Sequence, residues 1–566
     1  MSSKRPLWLR AVPALGWLRS YQRADFRGDL VGGLTTAVML IPQGMAYAML
    51  AGLPPIVGLY ASVVPLAVYA LFGSSRQLAV GPVAMVSLLV ATGVGAMVPE
   101  GGAGAQQTYV GLAVMLAAVV GALQLVMGLA RAGFLTNFLS HPVVSGFTSA
   151  AALIIGLSQL KHLLGVDLAR SHHIHQILIE ALRHGSDIDP TTLGIGIAAV
   201  ALLVGLRRIS PMIPSALVVV VLGTLAVWLL RLDQRGVAIV GHVPAGIPAP
   251  ALPAIGWAAL RGLLPTALAI SFVGFMESIS VAKAMASRHG YEVDANQELI
   301  GLGLANIGGS LFGAYPVTGG FSRTAVNDQA GARTGLASLI TAGVIALALL
   351  FFTPVFYFLP NAVLAAIIMS AVFGLIDVAE VRHLYRVKRS DLALLAITFV
   401  ATLSLGIEEG ILVGVGASLL WFVVRTTRPH TAVLGRLPGT EVYRNVANYQ
   451  QAERTPGVLV LRVDAQFYFG NVSFLKETLN RLETEASPPL RAVVIEAASM
   501  NQLDSSAATA LLEIARDYRD RGITLLFAST KRPVYTVMQR AGLVDLLGQD
   551  AFFFRVHEAM QSLPGD

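Results

Sequence analysis

From residue 29 to residue 425 the chain is a succession of apolar stretches, and no other feature restricts its fold so tightly. Most run for roughly 17–25 residues, and at 1.5 Å of rise per residue a helix of that length crosses a hydrocarbon core about 30 Å thick. Fourteen can be drawn: 29–50, 56–73, 82–96, 109–130, 137–160, 191–207, 212–231, 259–284, 295–313, 321–332, 336–353, 360–376, 391–405 and 409–425. Only 13% of the residues are charged, where a soluble chain carries about 25%. The sequence therefore predicts an all-α polytopic membrane domain.

Two of the segments are too short to span alone. The stretch 82–96 is introduced by Gly81-Pro82, and 321–332 by Pro316-Val317-Thr318-Gly319-Gly320. Proline and paired glycines ahead of a short apolar run mark a helix that begins partway through the bilayer, after extended backbone. These are the third segments of two sets of seven. Seven is odd, so the two halves have opposite orientation, and the pattern predicts a 7+7 inverted repeat whose half-helices meet near the midplane.

Charge placement orients the bundle. Residues 1–430 hold 26 Lys+Arg against 18 Asp+Glu, and residues 431–566 hold 14 against 15. The basic excess thus belongs to the apolar part, which argues against nucleic acid as a partner and for membrane orientation. With the N-terminus inside, nineteen basic residues fall on the cytoplasmic side, Lys4, Arg5 and Arg10 among them, and six on the other. Both ends are expected in the cytoplasm, in a cell (inner) membrane. The start shows no small-residue cleavage site, so the first segment reads as an anchor rather than a removable signal. The chain has no cysteine, which removes disulfide frameworks, iron–sulfur clusters and thiol nucleophiles.

Beyond Arg428-Pro429 the pattern changes. Residues 457–471, 490–500 and 523–530 read as strands, and 473–485, 506–522 and 533–543 as helices, which together predict a small α/β domain. The expected division is an N-terminal segment 1–28, a membrane domain 29–427, a linker 428–435 and the small domain 436–563.

Within the apolar segments the charges that stand out are Glu277 and Arg323. Two half-helix N-termini aimed at one point supply unpaired N–H groups and positive dipole ends, an anion site. Ser322 and Arg323 open the second half-helix. Arg323 reads as the electropositive lining of a small-anion site, or alternatively as a structural arginine bonded to backbone carbonyls. Gln43 and Tyr47 stand four residues apart on one helix face, placed either to hydrogen-bond a ligand or to join helices. Glu277 has no Lys or Arg one turn away; a lone carboxylate among apolar groups holds its charge at a cost, so it is a candidate to take up and release a proton. The alternative is a permanent partner, either a distant arginine or Ser278 or Ser280. His172, His173 and His175 cluster in a polar loop and read as solvated rather than metal-binding. Gly301, Gly303, Gly308, Gly309 and Gly313 mark close helix packing. No phosphate loop, catalytic triad or dinucleotide fingerprint is present in usable form, so no enzyme, metal or cofactor is expected.

Four long motifs carry a resemblance. IPQGMAYAMLAGLPPIVGLYASVVPLAVYALFGSSRQLAVGPVAMVS (41–87), SHPVVSGFTSAAA (140–152), FMESISVAKAMA (275–286) and PVTGGFSRTAVNDQAGARTGLAS (316–338) closely resemble the SulP anion permeases, relatives of prestin and pendrin. The C-terminal part resembles a STAS domain, with LDSSAATAL (503–511) at its loop-to-helix turn. The resemblance implies a mobile core, the first four segments of each half, and a gate that carries dimer contacts. It implies an anion held between backbone near Val83 and Ala84 and, opposite, Ser322 and Arg323. It aligns Glu277 with an acidic position linked to proton symport, which non-coupled relatives also carry. A sodium-dependent bicarbonate branch has a nearby Asp that this chain lacks. Soluble anti-anti-sigma factors have a phosphorylatable Ser in Asp-Ser-Ser-Gly, and here Asp504-Ser505-Ser506-Ala507 makes Ser506 a regulatory candidate, with N-capping by Asp504 or Ser505 as the plainer role.

The expected function is elevator-type secondary transport of a small anion, with sulfate first and bicarbonate, chloride or C4-dicarboxylates also fitting, coupled to protons, in a homodimer. The other readings are an anion sensor that signals to a cytosolic partner through STAS, and an uncoupled anion channel.

Overall fold

In the computed structural model, residues 12–98, 104–134, 140–166, 174–210, 214–253 and 256–564 are described. The Arg-rich start (Lys4, Arg5, Arg10), His172 and His173 lie outside them. A short helix α1 (Ala14–Arg19) precedes the first half of the membrane unit. That half comprises α2 (Arg23–Leu50), the pair α3 (Pro55–Tyr60) and α4 (Val64–Phe72), β1 (Val80–Gly81), α5 (Ala84–Gly95), α6 (Ala105–Leu129), α7 (His141–Ser158), α8 (Leu160–Leu164), the amphipathic α9 (Ile174–Arg183), α10 (Pro190–Ile209) and α11 (Ser215–Leu230). The second half comprises α12 (Trp257–His289), α13 (Ala295–Leu311), β2 (Thr318–Gly319), α14 (Phe321–Gln329), α15 (Leu336–Phe351), α16 (Asn361–Val372), α17 (Val378–Val387), α18 (Arg389–Leu405) and α19 (Ile407–Thr427).

Each of the fourteen apolar segments corresponds to a helix or a helix pair. The stretch 56–73 is a pair, because Ala61–Val63 break it ahead of Pro65 at the start of α4. The third segments are short, as their glycines and prolines imply: α5 has 12 residues and α14 has 9, lengths of about 18 and 14 Å at 1.5 Å per residue. The strands ahead of them pair antiparallel, Val80 with Gly319 and Gly81 with Thr318. Two equivalent strands related by a two-fold axis perpendicular to them run antiparallel, as these do. The ribbon therefore records the repeat directly.

Helices α2 to α6 pack with α12 to α15, while α7 packs on α18 and α10 packs on α11 and α16. These are the core and gate layers. Close approach within the core depends on small residues, as the glycine pattern predicts. A Cβ on Gly303 would lie 2.7 Å from Leu125 N and 2.8 Å from Gly121 O, so α13 and α6 cross almost backbone to backbone.

The second compact unit runs from Leu419 to Asp566. Its six-stranded sheet has the order β4-β3-β5-β6-β7-β8, built from β3 (Thr431–Arg436), β4 (Tyr443–Asn445), β5 (Val458–Val463), β6 (Ala492–Glu496), β7 (Thr524–Ala528) and β8 (Phe552–Phe553). Strands β5 to β8 run parallel, and β3 is antiparallel to both of its neighbours. Alternation along β5 sends Leu459, Leu461 and Val463 to one face, under α20 (Val472–Thr484), α21 (Ser505–Asp520), α22 (Arg532–Arg540) and α23 (Leu543–Leu547). Val458 and Val460 face the other side, under α24 (Val556–Gln561).

Two expectations change here. The segment expected as a linker, 428–435, contributes most of β3, an inner strand paired with both β4 and β5. The strand expected across 457–471 ends at Val463, because polar side chains take over the backbone beyond it. Asn471 accepts from Tyr468 N at 3.1 Å and donates to Gln466 O at 2.9 Å, closing a turn.

Candidate functional site

The turns ahead of the half-helices place the site. Val83 and Gly320 precede α5 and α14 in extended conformation, and neither supplies a side-chain cap. The first helical hydrogen bonds come from Ser87 N to Val83 O and from Thr324 N to Gly320 O. The N–H groups of Ala84, Met85 and Val86, and of Phe321, Ser322 and Arg323, precede those bonds. They give two positive helix ends.

Hydroxyl and amide side chains fix the crossing. Ser278 Oγ lies 2.7 Å from Thr318 Oγ1 and accepts from Gly319 N at 2.8 Å, and Thr318 Oγ1 donates to Gly274 O at 2.5 Å. Asn306 grips Val317 through both its N–H and its carbonyl, at 2.8 and 3.1 Å. Ser87 Oγ meets Tyr315 Oη at 2.9 Å, and Thr324 Oγ1 accepts from Ala79 N at 3.0 Å. The two half-helices are thus bound to each other and to α12 as one rigid piece.

Over this piece opens a cavity of about 590 Å³. Its core wall consists of Thr35, Met39, Gln43 and Tyr47 on α2, Val83 to Met85 at the start of α5, Glu277 on α12, and Gly320 to Arg323 with Ala325 and Val326 on α14. The gate wall consists of Pro214 to Leu217 at the start of α11 and Ser370, Ala371, Gly374 and Leu375 at the end of α16. Gln43, Tyr47, Val83, Ala84, Glu277, Ser322 and Arg323 therefore share one cavity. Ser506 belongs to the second unit, exposed in the first turn of α21, where the Asp504 side chain caps the helix by accepting from Ala507 N at 2.8 Å.

Arg323 is 1% exposed. Its Nη1 donates to Pro82 O, while Nε and Nη2 are buried without a hydrogen-bond partner. One nitrogen thus bonds a backbone carbonyl, as the structural reading expects, and two nitrogens are left without a partner. A buried charged donor without an acceptor is unfavourable, and filling each gains about 1.5–3 kcal/mol. Glu277 faces the same cavity with Oε2 buried and unpartnered. The serines that might have held it are engaged elsewhere, Ser278 with Thr318 and Ser280 with Met276 O at 2.7 Å. Gln43 Nε2 donates to Tyr47 Oη at 3.0 Å, so the expected pair forms on one face of α2.

Gly320 makes room for the guanidinium: a Cβ there would lie 2.8 Å from Nη2 and 2.9 Å from Cζ of Arg323. Gly320→Ala is expected to displace that group, leaving a folded protein whose melting temperature no longer responds to anions; an unchanged response in a thermal-shift titration would refute the placement.

Three further carboxylates are buried in the core besides Glu277. Each is saturated. Glu298 accepts from Tyr69 Oη, Ser74 N and Oγ, and Ser75 N at 2.7–3.1 Å. Asp29 accepts from Arg333 N, Thr334 N and Thr334 Oγ1 at 2.5–2.9 Å. Asp328 holds Arg288 at 2.7 Å and His289 at 2.5 Å. These tie helices together; the unsatisfied charges are those that face the cavity. Sequence reasoning did not find the gate-wall hydroxyls Ser215 and Ser370, which no motif marks. Among the described residues no group of three His, Cys, Asp or Glu is arranged to hold a metal.

Comparison with known proteins identifies the family and the fold. A family model described as the sulfate permease family matches residues 26–398, and one for the STAS domain matches residues 449–559. The chain is 43% identical to the chloroplastic sulfate transporter 4.1 of Arabidopsis thaliana, across 98% of this chain and 83% of that protein. It is 36% identical to a probable sulfate transporter of Mycobacterium tuberculosis, across 97% and 98%. The murine solute carrier 26 family member A9 anion transporter, in its inward-facing state, superposes with a TM-score of 0.91 at 25% identity, covering 99% of this chain and 95% of that one. The transmembrane domain of a cyanobacterial bicarbonate transporter, BicA, gives a TM-score of 0.59 at 25% identity over 70% of this chain and 98% of that one.

Proposed function

This chain belongs to the sulfate permease family of anion transporters, and from that membership we propose that it is a sulfate–proton symporter, working by movement of its core layer against its gate layer. The observation that carries the reading is one cavity lined by two uncapped helix ends, by Arg323, whose Nε and Nη2 have no hydrogen-bond partner, and by Glu277, whose Oε2 has none. Sulfate offers four oxygens to these donors, and the relatives at 43% and 36% identity are named for sulfate. Glu277 supplies the coupling because its charge decides how well a dianion is tolerated beside it. The protein works as a homodimer in the cell's inner membrane with both ends in the cytoplasm, as its basic loops favour.

A second substrate, bicarbonate, is favoured by the likeness of the membrane unit to BicA. One experiment separates them. The purified chain in proteoliposomes with an inward proton gradient is expected to accumulate labelled sulfate, and a protonophore to abolish the accumulation. In a parallel melting assay sulfate should stabilise the protein more than bicarbonate or chloride, since a ligand bound only by the folded state raises apparent stability. Stabilisation by bicarbonate alone would replace sulfate with the second reading, and no uptake of either anion would overturn both.

A further inference from the structure

Helix α17 is built differently from every span around it. It occupies only Val378–Val387, between the gate-wall helix α16 and the span α18, and of its ten residues only Leu384 is buried. Val378, Val381 and Tyr385, spaced three and four apart, form one apolar stripe, and Val378 and Tyr385 are 52% and 60% exposed. Arg382 and Arg386 form the next row, one turn apart on the flank of that stripe. Just beyond the helix, Arg389 lies over the Tyr385 ring at 5.7 Å and Lys388 lies 3.9 Å from Asp391. Arg382 and Arg386 form no ion pair among the described residues. The helix is held at its start, where Asp377 caps it by accepting from Glu380 N at 2.9 Å and Glu380 meets His141 Nδ1 at 3.2 Å.

An amphipathic helix with exposed apolar residues, flanked by unpaired arginines and joined at both ends to membrane spans, has the composition of an element that lies in the headgroup plane. We infer that α17 is a membrane-surface anchor whose Arg382 and Arg386 bind the phosphates of anionic lipids while Val378, Val381 and Tyr385 enter the acyl boundary. Charge complementarity selects the occupant: two free guanidinium groups beside an apolar stripe fit an anionic headgroup with its chains, and Arg binds phosphate through paired donors. The position gives the anchor a consequence. Gly374 and Leu375 of the gate wall lie three to four residues before Val378, so a lipid-bound α17 fixes the depth of the wall against which the core moves.

Lipid binding itself is independent of the transport reading, and only the effect on uptake rests on it. The full-length protein is reconstituted in phosphatidylglycerol–phosphatidylcholine vesicles and extracted for native mass spectrometry. The wild type should retain phosphatidylglycerol, the Arg382→Gln/Arg386→Gln variant should retain roughly 30-fold less, and the Arg382→Lys/Arg386→Lys variant should keep most of it. Sulfate uptake should rise with phosphatidylglycerol in the wild type and be indifferent to it in the double Gln variant. Equal phosphatidylglycerol retention by wild type and the Gln variant would overturn the proposal, and so would a change of oligomeric mass with retention intact, which would assign the face to a second copy of the chain. If the double Gln variant does not insert, the two single variants make the same comparison. Loss of retention without uptake by any variant would defeat the transport reading and leave the anchor standing.

Discussion

Arg323→Glu is expected to abolish sulfate binding and uptake, and Arg323→Ala to weaken binding by at least about 100-fold. The side chain is fully buried at the cavity wall, and its Nε and Nη2 lack an acceptor. An anion that takes both gains about 1.5–3 kcal/mol from each, so losing the pair costs on the order of two decades of affinity. Glutamate does more, because it places a second carboxylate opposite Glu277 where a dianion must sit, and like charges in a cavity of low dielectric repel strongly. Lysine keeps the charge but not the fork, and should recover only part of the loss. The unliganded melting temperature is a poor gauge of these variants: alanine orphans Pro82 O and also removes a buried charge, and the two effects oppose each other. The anion-induced shift is the discriminating measurement. An undiminished sulfate shift in Arg323→Ala would remove the residue from the site.

Glu277→Gln is expected to eliminate gradient-driven accumulation while leaving anion binding intact. Glutamine has the shape of a protonated glutamate and cannot release the proton. Each coupled proton contributes about 1.4 kcal/mol per unit of pH gradient, or about tenfold in accumulation, and the variant forfeits that factor. The sign of the pH dependence follows from charge. An ionised Glu277 repels a dianion in its cavity and a protonated one does not, so sulfate binding to the wild type should strengthen as pH falls. In Glu277→Gln it should be flat with pH, at the level of the protonated wild type. Accumulation by the variant equal to that of the wild type, under the same gradient, would show that the proton travels by another route.

Most of the residues behind both predictions are legible in the sequence because each breaks a local rule. An arginine and a glutamate stand in apolar runs, prolines and glycines interrupt spans, and Gln43 and Tyr47 recur at one helical turn. Asp29, Glu298 and Asp328 are not distinguishable from a lone carboxylate in the sequence, since a buried carboxylate with two to four donors differs from an unpartnered one only through partners distant in sequence, such as Tyr69 and Ser74 for Glu298. Ser215 and Ser370 give no signal, because an isolated serine in a helix is ordinary until another layer faces it. The early end of β5 and the strand β3 were obscured in the same way: strand pairing is decided by neighbours elsewhere in the chain, whereas a membrane span needs only its own length and apolarity.

The sequence by itself determined the solvent, the number of spans and the inverted halves, and it picked out Glu277 and Arg323 as charges standing in apolar segments. Those properties follow from hydrogen bonds and burial that each segment satisfies alone, or from a break in that satisfaction. Only the tertiary structure decided that Glu277 and Arg323 line one cavity. Val80 and Gly81 pair with Gly319 and Thr318 across more than two hundred residues of chain, and that ribbon turns two separate helix starts, Glu277 and the Gln43–Tyr47 face into one cavity. It also decided which polar groups are spent on packing and which are left over. An unpaired donor is defined by the absence of every possible partner, a condition that no local stretch of sequence contains.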